Sequence, residues 1–364
     1  MLRKYPVGLQ SFREIREGGY VYVDKTEIIH RLVEMGKYYF LSRPRRFGKS
    51  LLVDTMEELF SGSEELFRGL WIHDKWDWAK THPVIHFNFA DMGGRTLGLE
   101  TAIYRGLADN AARLSVSLSD TSYDQQFKEL IQKASVKGQV VILIDEYDKP
   151  LIDYLDDTAQ LDANRSVLKN FYSVLKGRDA DIRLLFMTGV SRFSRVSVFS
   201  DLNNLRDITI NAQFGTIAGI SQTELERDFA IEIREIGKDR PDILAAIKEW
   251  YNGYWWRGPE RVYNPFSLLN YMADPVFRNY WYVTGTPTFL IDQLRRLNIA
   301  DMDGVRISEH ALADFNTDNP EPAPLLFQTG YLTIKETKGT GQVFVLGYPN
   351  REVKESLLDG LLNA

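Results

Sequence analysis

The chain has 364 residues, enough for two or three domains, and a net charge of −6. It contains no cysteine, which excludes a disulfide framework and a cysteine-ligated metal site. No apolar run approaches the about 20 residues of a membrane span, and the N-terminus lacks the apolar core of a signal peptide. A cytoplasmic protein with no membrane partner is therefore expected. The negative charge argues against nucleic-acid binding driven by overall charge but leaves a local basic face open.

The first predicted elements are a helix, a strand and a second helix. Residues 24–27 resemble a capping box that opens a helix to about Lys37. The apolar run at 38–41 predicts a strand, and the apolar residues of 51–60 recur at helical spacing. Between them, residues 42–50 read Ser-Arg-Pro-Arg-Arg-Phe-Gly-Lys-Ser. A strand, a loop ending in Gly-Lys-Ser and a helix are the setting of a phosphate-binding loop.

Such a loop wraps its backbone N–H groups around a polyphosphate, and the helix N-terminus adds partial positive charge. Lys49 is expected to reach the β- and γ-phosphates and to act in catalysis, and the Ser50 hydroxyl is expected to hold Mg²⁺. The predicted nucleotide-binding residues are Arg45, Arg46, Phe47, Gly48, Lys49, Ser50 and Leu51. For Arg45 and Arg46, a solvated basic loop is the alternative. The match is imperfect, because Arg43 stands where the pattern has its first glycine.

A pair of adjacent carboxylates forms the second motif. The continuous apolar run 140–144 predicts a strand buried on both faces of a parallel sheet, and Asp145 and Glu146 follow it. Ligands of α/β sheets bind at the carboxyl ends of such strands. Asp145 is a candidate Mg²⁺ ligand, and Glu146 is a candidate general base for the attacking water. A helix N-cap is the alternative for two such acids, but the upstream Gly-Lys-Ser favours nucleotide binding.

Further elements complete a predicted α/β core. Strands are expected at 84–89 and 182–189, and helices at 97–114, 127–134 and 164–176. In ATPases whose metal-binding Asp is followed by Glu (the ASCE type), the strand after this pair usually inserts next to the phosphate loop. Its tip leads here to Arg192, a candidate catalytic sensor of the γ-phosphate, with Arg195 as the second choice. A surface arginine paired with an acid is the alternative.

After residue 219 the predicted elements change from alternating strands and helices to mainly helices. A second capping box at 221–224 begins helices predicted at 222–237 and 241–252. Aromatic residues are dense from 250 to 282, and we interpret them as packing rather than as a base-stacking surface.

The last part of the chain predicts a helix followed by a β-hairpin. The helix is expected at 308–315, a Pro-rich link at 319–324, and the hairpin at 325–335 and 342–346. Helix plus hairpin suggests a winged-helix module. The predicted domains are a P-loop NTPase core at 1–220, a helical, aromatic-rich domain at 221–299, and the winged-helix module at 300–364.

Several segments carry motifs that occur together in one known family. They are residues 12–26, 39–50, 143–150, 188–194, 251–254, 263–267 and 284–288. Together they resemble the bacterial AAA-ATPase-like family over nearly the whole chain. The resemblance implies that ATP is the nucleotide and that Arg43 is an ordinary variant of the loop.

Members of this family commonly continue into a C-terminal PD-(D/E)XK nuclease-like domain. No nuclease core is recognised in residues 300–364, so no nuclease activity is carried over to them. A nuclease domain in a longer chain, nucleic acid and further copies of the same chain are the candidate partners.

Three functions are compatible with these motifs. The first is a Mg²⁺-dependent ATPase that acts as a motor or loader, and the second is a slow nucleotide-dependent switch or scaffold. The third is a nucleic-acid-binding module with a vestigial nucleotide site. Intact Lys49, Ser50, Asp145 and Glu146 argue against the third and favour an enzyme that hydrolyses ATP to ADP. Turnover rate separates the first two.

Overall fold

The computed structural model describes residues 3–191, 202, 204–281, 301–313, 322–339 and 342–363. The chain forms two compact units. The sheet unit comprises Thr26–Ser42 and Ser50–Ile208, and the aromatic unit comprises Met1–Lys25, Arg43–Lys49 and Thr209–Ala364. The three-domain division expected from the sequence stays a prediction. Among the described helices, none has the length and apolar character needed to cross a membrane.

A five-stranded parallel sheet forms the centre of the sheet unit. Its strands are β1 (Tyr38–Ser42), β2 (Val84–Asn88), β3 (Val140–Asp145), β4 (Ile182–Gly189) and β5 (Arg206–Asp207). The strand order is β2-β3-β4-β1-β5, and neighbouring strands are parallel. Every residue of β1 and β3 is buried, as expected for strands covered on both faces. The expected insertion of β4 next to β1 is confirmed.

The described α-helices belong to both units. They are α1 (Phe12–Glu17), α2 (Thr26–Met35), α3 (Lys49–Phe60), α4 (Glu64–Phe67), α5 (Gly94–Leu97), α6 (Leu99–Leu114), α7 (Tyr123–Ser135), α8 (Lys149–Ile152), α9 (Thr158–Ser173), α10 (Gln222–Asp228), α11 (Ala230–Ile236), α12 (Ile243–Tyr251), α13 (Pro265–Ala273), α14 (Glu309–Ala313), α15 (Pro322–Thr329) and α16 (Arg351–Asn363).

Three phenylalanines hold helices α7 and α9 against the sheet. Phe127 on α7 stacks on Phe171 of α9 with ring centroids 4.5 Å apart, and the Phe171 ring meets Phe87 of β2 edge-on at 5.2 Å. All three side chains are buried. Burial of each contributes about 1.5–3 kcal/mol, so this cluster fixes the layer of helices behind the β2 and β3 edge.

The aromatic unit contains two small antiparallel sheets. Their strands are β6 (Ile220–Ser221), β7 (Asn252–Tyr254), β8 (Val262–Tyr263), β9 (Arg306–Ser308), β10 (Thr333–Lys338) and β11 (Val343–Gly347). The orders are β6-β8-β7 and β10-β11-β9. The capping box that opens α10 is confirmed: the Ser221 hydroxyl accepts from the Glu224 N–H, and the Glu224 carboxylate accepts from the Ser221 N–H.

The predicted hairpin is confirmed between β10 and β11, but its first strand begins later than expected. Residues 325–329 belong to α15 instead. Pro322 and Pro324 stand in the first turn of that helix, where a missing N–H costs nothing, and Leu325 and Leu326 are buried. A short apolar run does not distinguish a strand from a helix. A winged helix is not confirmed.

Candidate functional site

The loop between β1 and α3 contains two residues in the left-handed region. Arg46 has φ 68° and Gly48 has φ 84°. Glycine adopts this conformation without cost, whereas a side chain at position 48 would be strained even though open space surrounds it. Arg46 stores strain of about 1–3 kcal/mol. Strained backbone of this kind clusters at ligand sites, which fits the predicted role of the loop.

Lys49 lies almost fully buried at the end of this loop. Its side chain is 5% exposed, and the ammonium Nζ donates to the carbonyl oxygens of Arg43 at 3.0 Å and Pro44 at 3.1 Å. A buried ammonium needs such partners, because burial disfavours an unpaired charge. The loop therefore curls its carbonyls around one positive charge. Ser50 and Leu51 follow, half-buried, in the first turn of α3.

Arg43 replaces the first glycine of the phosphate-loop pattern without backbone strain. It is not among the described non-glycine residues with positive φ. Its fully buried guanidinium donates to the Thr209 carbonyl at 2.8 Å and lies over the Trp256 ring, 4.1 Å from the centroid. The side chain thus anchors the loop within the aromatic unit, and position 43 has no need of glycine.

Phe47 is a second anchor of the loop. Its ring is buried and meets the rings of Tyr254 and Trp256 edge-on, with centroids 4.7 and 5.2 Å apart. The Phe47 carbonyl accepts from the Gly219 N–H at 3.2 Å. A nucleotide contact from Phe47 would therefore use its backbone and not its ring.

The two arginines before Phe47 differ in exposure. Arg45 is half-buried, and its carbonyl accepts from the Trp281 indole Nε1–H at 3.3 Å. Arg46 is exposed, with its guanidinium 4.9 Å from the centroid of the Phe266 ring. Their predicted phosphate contacts stay predictions. Five aromatic residues of the segment 250–282 are buried, which supports its interpretation as packing: Tyr251, Tyr254, Trp256, Tyr263 and Tyr271.

Asp145 ends strand β3 in the sheet unit. Its carboxylate is 1% exposed, and Oδ1 accepts from the Thr188 hydroxyl of β4 and from the Glu146 N–H at 3.1 Å. Oδ2 accepts no hydrogen bond from the described residues. Carboxylate and hydroxyl oxygens are the ligands that Mg²⁺ prefers, so the donor set of Asp145 and Ser50 fits that ion.

Glu146 has a strained backbone directly after β3. Its φ is 50°, and its side chain is half-buried. A non-glycine residue in this region costs about 1–3 kcal/mol and persists where its surroundings enforce it. Among the described non-glycine residues with positive φ, Glu146 is the acidic one.

The next two residues hold the end of β4, a role that sequence reasoning missed. The buried Asp148 carboxylate accepts from the Val190 N–H at 3.0 Å and from the Ser191 N–H and hydroxyl, both at 2.6 Å. The Tyr147 hydroxyl donates to the Ser191 carbonyl at 3.1 Å. The backbone is therefore fixed up to Ser191. Arg192, the candidate sensor, and Arg195 lie outside the described residues.

A family model described as predicted AAA-ATPase matches residues 6–199. The chain belongs to the AAA-ATPase-like family. It is 44% identical over 371 residues to an "Uncharacterized protein in vnfD 5′ region" of Azotobacter chroococcum mcd 1, covering 99% of this chain and 70% of that protein. No solved structure matches. The family resemblance is confirmed, whereas the nuclease fusion stays a prediction.

Proposed function

We propose that this AAA-ATPase-like chain binds ATP with Mg²⁺ and hydrolyses it, as ASCE-type P-loop ATPases do. The observation that carries the proposal is the strand order. Because β4 lies between β1 and β3 and all three are parallel, β1 and β3 end at the same edge of the sheet. The phosphate-loop motif follows β1, Asp145 ends β3, and Glu146 comes directly after it. Ligands of parallel α/β sheets bind at this edge.

Each proposed role follows from the chemistry of its side chain. Lys49 would bind the β- and γ-phosphates by charge, and Ser50 and Asp145 would hold Mg²⁺ through oxygen ligands. The ion, when bound, neutralises charge that develops on the phosphates. Glu146 would accept a proton from the attacking water at its carboxylate. Arg192 would bind the γ-phosphate. This role is supported by the hydrogen bonds of Asp148, which hold the backbone up to Ser191, the residue before Arg192.

A slow nucleotide-dependent switch is the second candidate. The arrangement of the loop favours it, since Arg43 and Phe47 are anchored in the aromatic unit by buried contacts. A loop held in this way transmits its occupancy to that unit. Nucleic acid, a nuclease domain and a homo-oligomer remain proposals for the partner of either activity.

The test is phosphate release by the purified chain with ATP or GTP, with and without Mg²⁺ and DNA. We expect Mg²⁺-dependent release from ATP in the wild type. A rate of about 1–100 s⁻¹ supports a motor or loader, and a far lower rate supports the switch. Calorimetry of ATP binding is run in parallel. A wild type that binds no ATP in the presence of Mg²⁺ would overturn both proposals.

A further inference from the structure

Trp281 joins the phosphate loop to a buried carboxyl group within the aromatic unit. Its indole Nε1–H donates to the Arg45 carbonyl at 3.3 Å, and its backbone N–H donates to Glu352 Oε1 at 2.9 Å. The side chain is 1% exposed, and its ring packs against Tyr331 with centroids 5.1 Å apart. One residue thus contacts both the loop and α16.

The packing around this bridge leaves little space. Gly330 has φ 95°, and a Cβ built on it would lie 2.8 Å from Cβ of Pro44 and 3.3 Å from Cζ2 of Trp281. Position 330 therefore requires glycine, both because its φ is positive and because Pro44 and Trp281 leave no room for a Cβ atom. Pro44 of the loop and Trp281 are held against the same backbone position.

Glu352 differs from the other residues around Trp281 because it carries a buried carboxyl group. Its side chain is 1% exposed, and Oε1 also accepts from the Ser267 hydroxyl at 2.9 Å. Oε2 is buried and has no hydrogen-bond partner among the described residues. Burial raises the pKa of Glu352 to about 7, although the hydrogen bonds from Trp281 and Ser267 favour the charged form. Nothing in the ATPase chemistry proposed above uses this carboxyl.

We infer that Trp281 and Glu352 are positioning residues for the phosphate loop, and that they set its affinity for nucleotide from within the aromatic unit. The inference rests on the proposed nucleotide binding by the loop. Ionised Glu352 accepts a stronger hydrogen bond from the Trp281 N–H than the neutral acid does. Trp281 is then held more firmly, and so is the Arg45 carbonyl that it contacts. Nucleotide affinity should accordingly change as Glu352 titrates.

The groups around Glu352 do not obscure this titration. The phenols that face it are Tyr251, Tyr254 and Tyr280, whose pKa values are raised by burial, so they stay neutral between pH 6 and 8. On α16 itself, the exposed Arg351 pairs with Glu355 at 2.6 Å and keeps its charge across this range. If the affinity for ATP changes between pH 6 and pH 8 and the change depends on the residue at position 352, it therefore reports the titration of Glu352.

The experiment measures the Kd for ATP with Mg²⁺ by calorimetry at pH 6 and pH 8. Trp281→Phe keeps a ring but removes the Nε1–H, and should weaken binding about two- to tenfold, the effect of one lost hydrogen bond. Its control is Trp255→Phe, because Trp255 Nε1 donates at 2.8 Å to the Gly258 carbonyl and not to a residue of the loop. That control should stay within about twofold of the wild type.

Glu352→Gln provides the readout that a merely structural role would not change. Its Kd should match that of the wild type at pH 6, where Glu352 is mostly neutral. At pH 8 the wild type should bind about two- to tenfold more tightly than the variant. Glu355→Gln is the matched control on the same helix and should show no such divergence. This comparison stands even if Trp281→Phe folds poorly.

Lys49→Ala separates the two possible failures. If it binds ATP as well as the wild type, the proposed nucleotide site itself is wrong. If it loses binding, the site stands. The inference is then overturned if the Glu352→Gln to wild-type Kd ratio is equal at pH 6 and pH 8, or if a folded Trp281→Phe binds like its control.

Discussion

Glu352→Gln should change how the stability of the protein depends on pH. The carboxyl has an ordinary pKa of 4.5, and burial raises it to about 7 in the folded chain. The folded state therefore binds this proton more tightly than the unfolded state does. The stabilisation from the neutral acid is fully present below pH 4.5 and is lost as pH rises through 7.

The size of this effect follows from the shift in pKa. A difference of about 2.5 units at 1.36 kcal/mol per unit amounts to about 3 kcal/mol of unfolding free energy, lost between pH 4.5 and pH 8. Glutamine has no proton to lose, so the variant lacks this dependence. For a unit of 150–250 residues, that amount shifts the Tm by roughly 6–12 °C.

The assay is thermal melting of the wild type and of Glu352→Gln, followed by tryptophan fluorescence at pH 5, 6.5 and 8. The variant's Tm should rise relative to the wild type's as pH increases, with most of the change between pH 5 and 7. Glu355→Gln, a half-buried acid on the same helix that pairs with Arg351, controls for the loss of a negative charge. If the Tm difference between wild type and Glu352→Gln is the same at pH 5 and pH 8, the buried-acid reasoning is refuted.

Four further variants test the proposed ATPase site. Lys49→Ala should lose most ATP affinity in calorimetry while keeping its circular dichroism spectrum; unchanged binding would exclude the phosphate-loop assignment. Glu146→Gln should keep ATP and Mg²⁺ bound but slow phosphate release about 10²–10⁴-fold, because an amide accepts no proton; an unaltered rate would remove its role as base. Arg192→Ala should weaken ATP about 10- to 150-fold more than ADP, the effect of one charge-assisted contact to the γ-phosphate; equal losses in both dissociation constants would contradict this. Asp148→Asn should destabilise the sheet unit by about 1–3 kcal/mol in urea unfolding, since its amide meets the N–H donors of Val190 and Ser191; a midpoint like that of the wild type would show that the carboxylate does not hold β4.

The sheet could be predicted from the sequence because its strands are buried on both faces. Continuous apolar runs at β1, β3 and β4 have no exposed side that would need polar residues. The capping box at Ser221 was equally readable, since its hydrogen bonds join residues three positions apart. Signals of this kind are local. The two-residue strand β5 has no such pattern and was missed.

The supports of the candidate site were not readable, because they depend on residues distant in sequence. Asp148 contacts Ser191, 43 positions away, and Trp281 contacts Arg45, 236 positions away. An isolated Asp or Trp gives no sign of such a partner. Arg43 departs from the phosphate-loop pattern, and no local signal explains the departure, since its partners Thr209 and Trp256 come much later in the chain.

These distant contacts determine which of the two units the side chains of the loop pack in. In sequence it joins a strand and a helix of the sheet unit, yet its buried side chains Arg43 and Phe47 pack within the aromatic unit. A ligand that binds the folded loop and not the unfolded chain stabilises whatever holds the loop in shape. Binding linkage is reciprocal: if a partner that contacts Trp256 or Trp281 changes the nucleotide affinity by some factor, nucleotide changes the affinity for that partner by the same factor. The proposed hydrolysis of ATP needs only the chemistry of Lys49, Ser50 and the carboxylates. The additional buried anchoring is what a protein requires if its nucleotide state is to be transmitted to the rest of the aromatic unit.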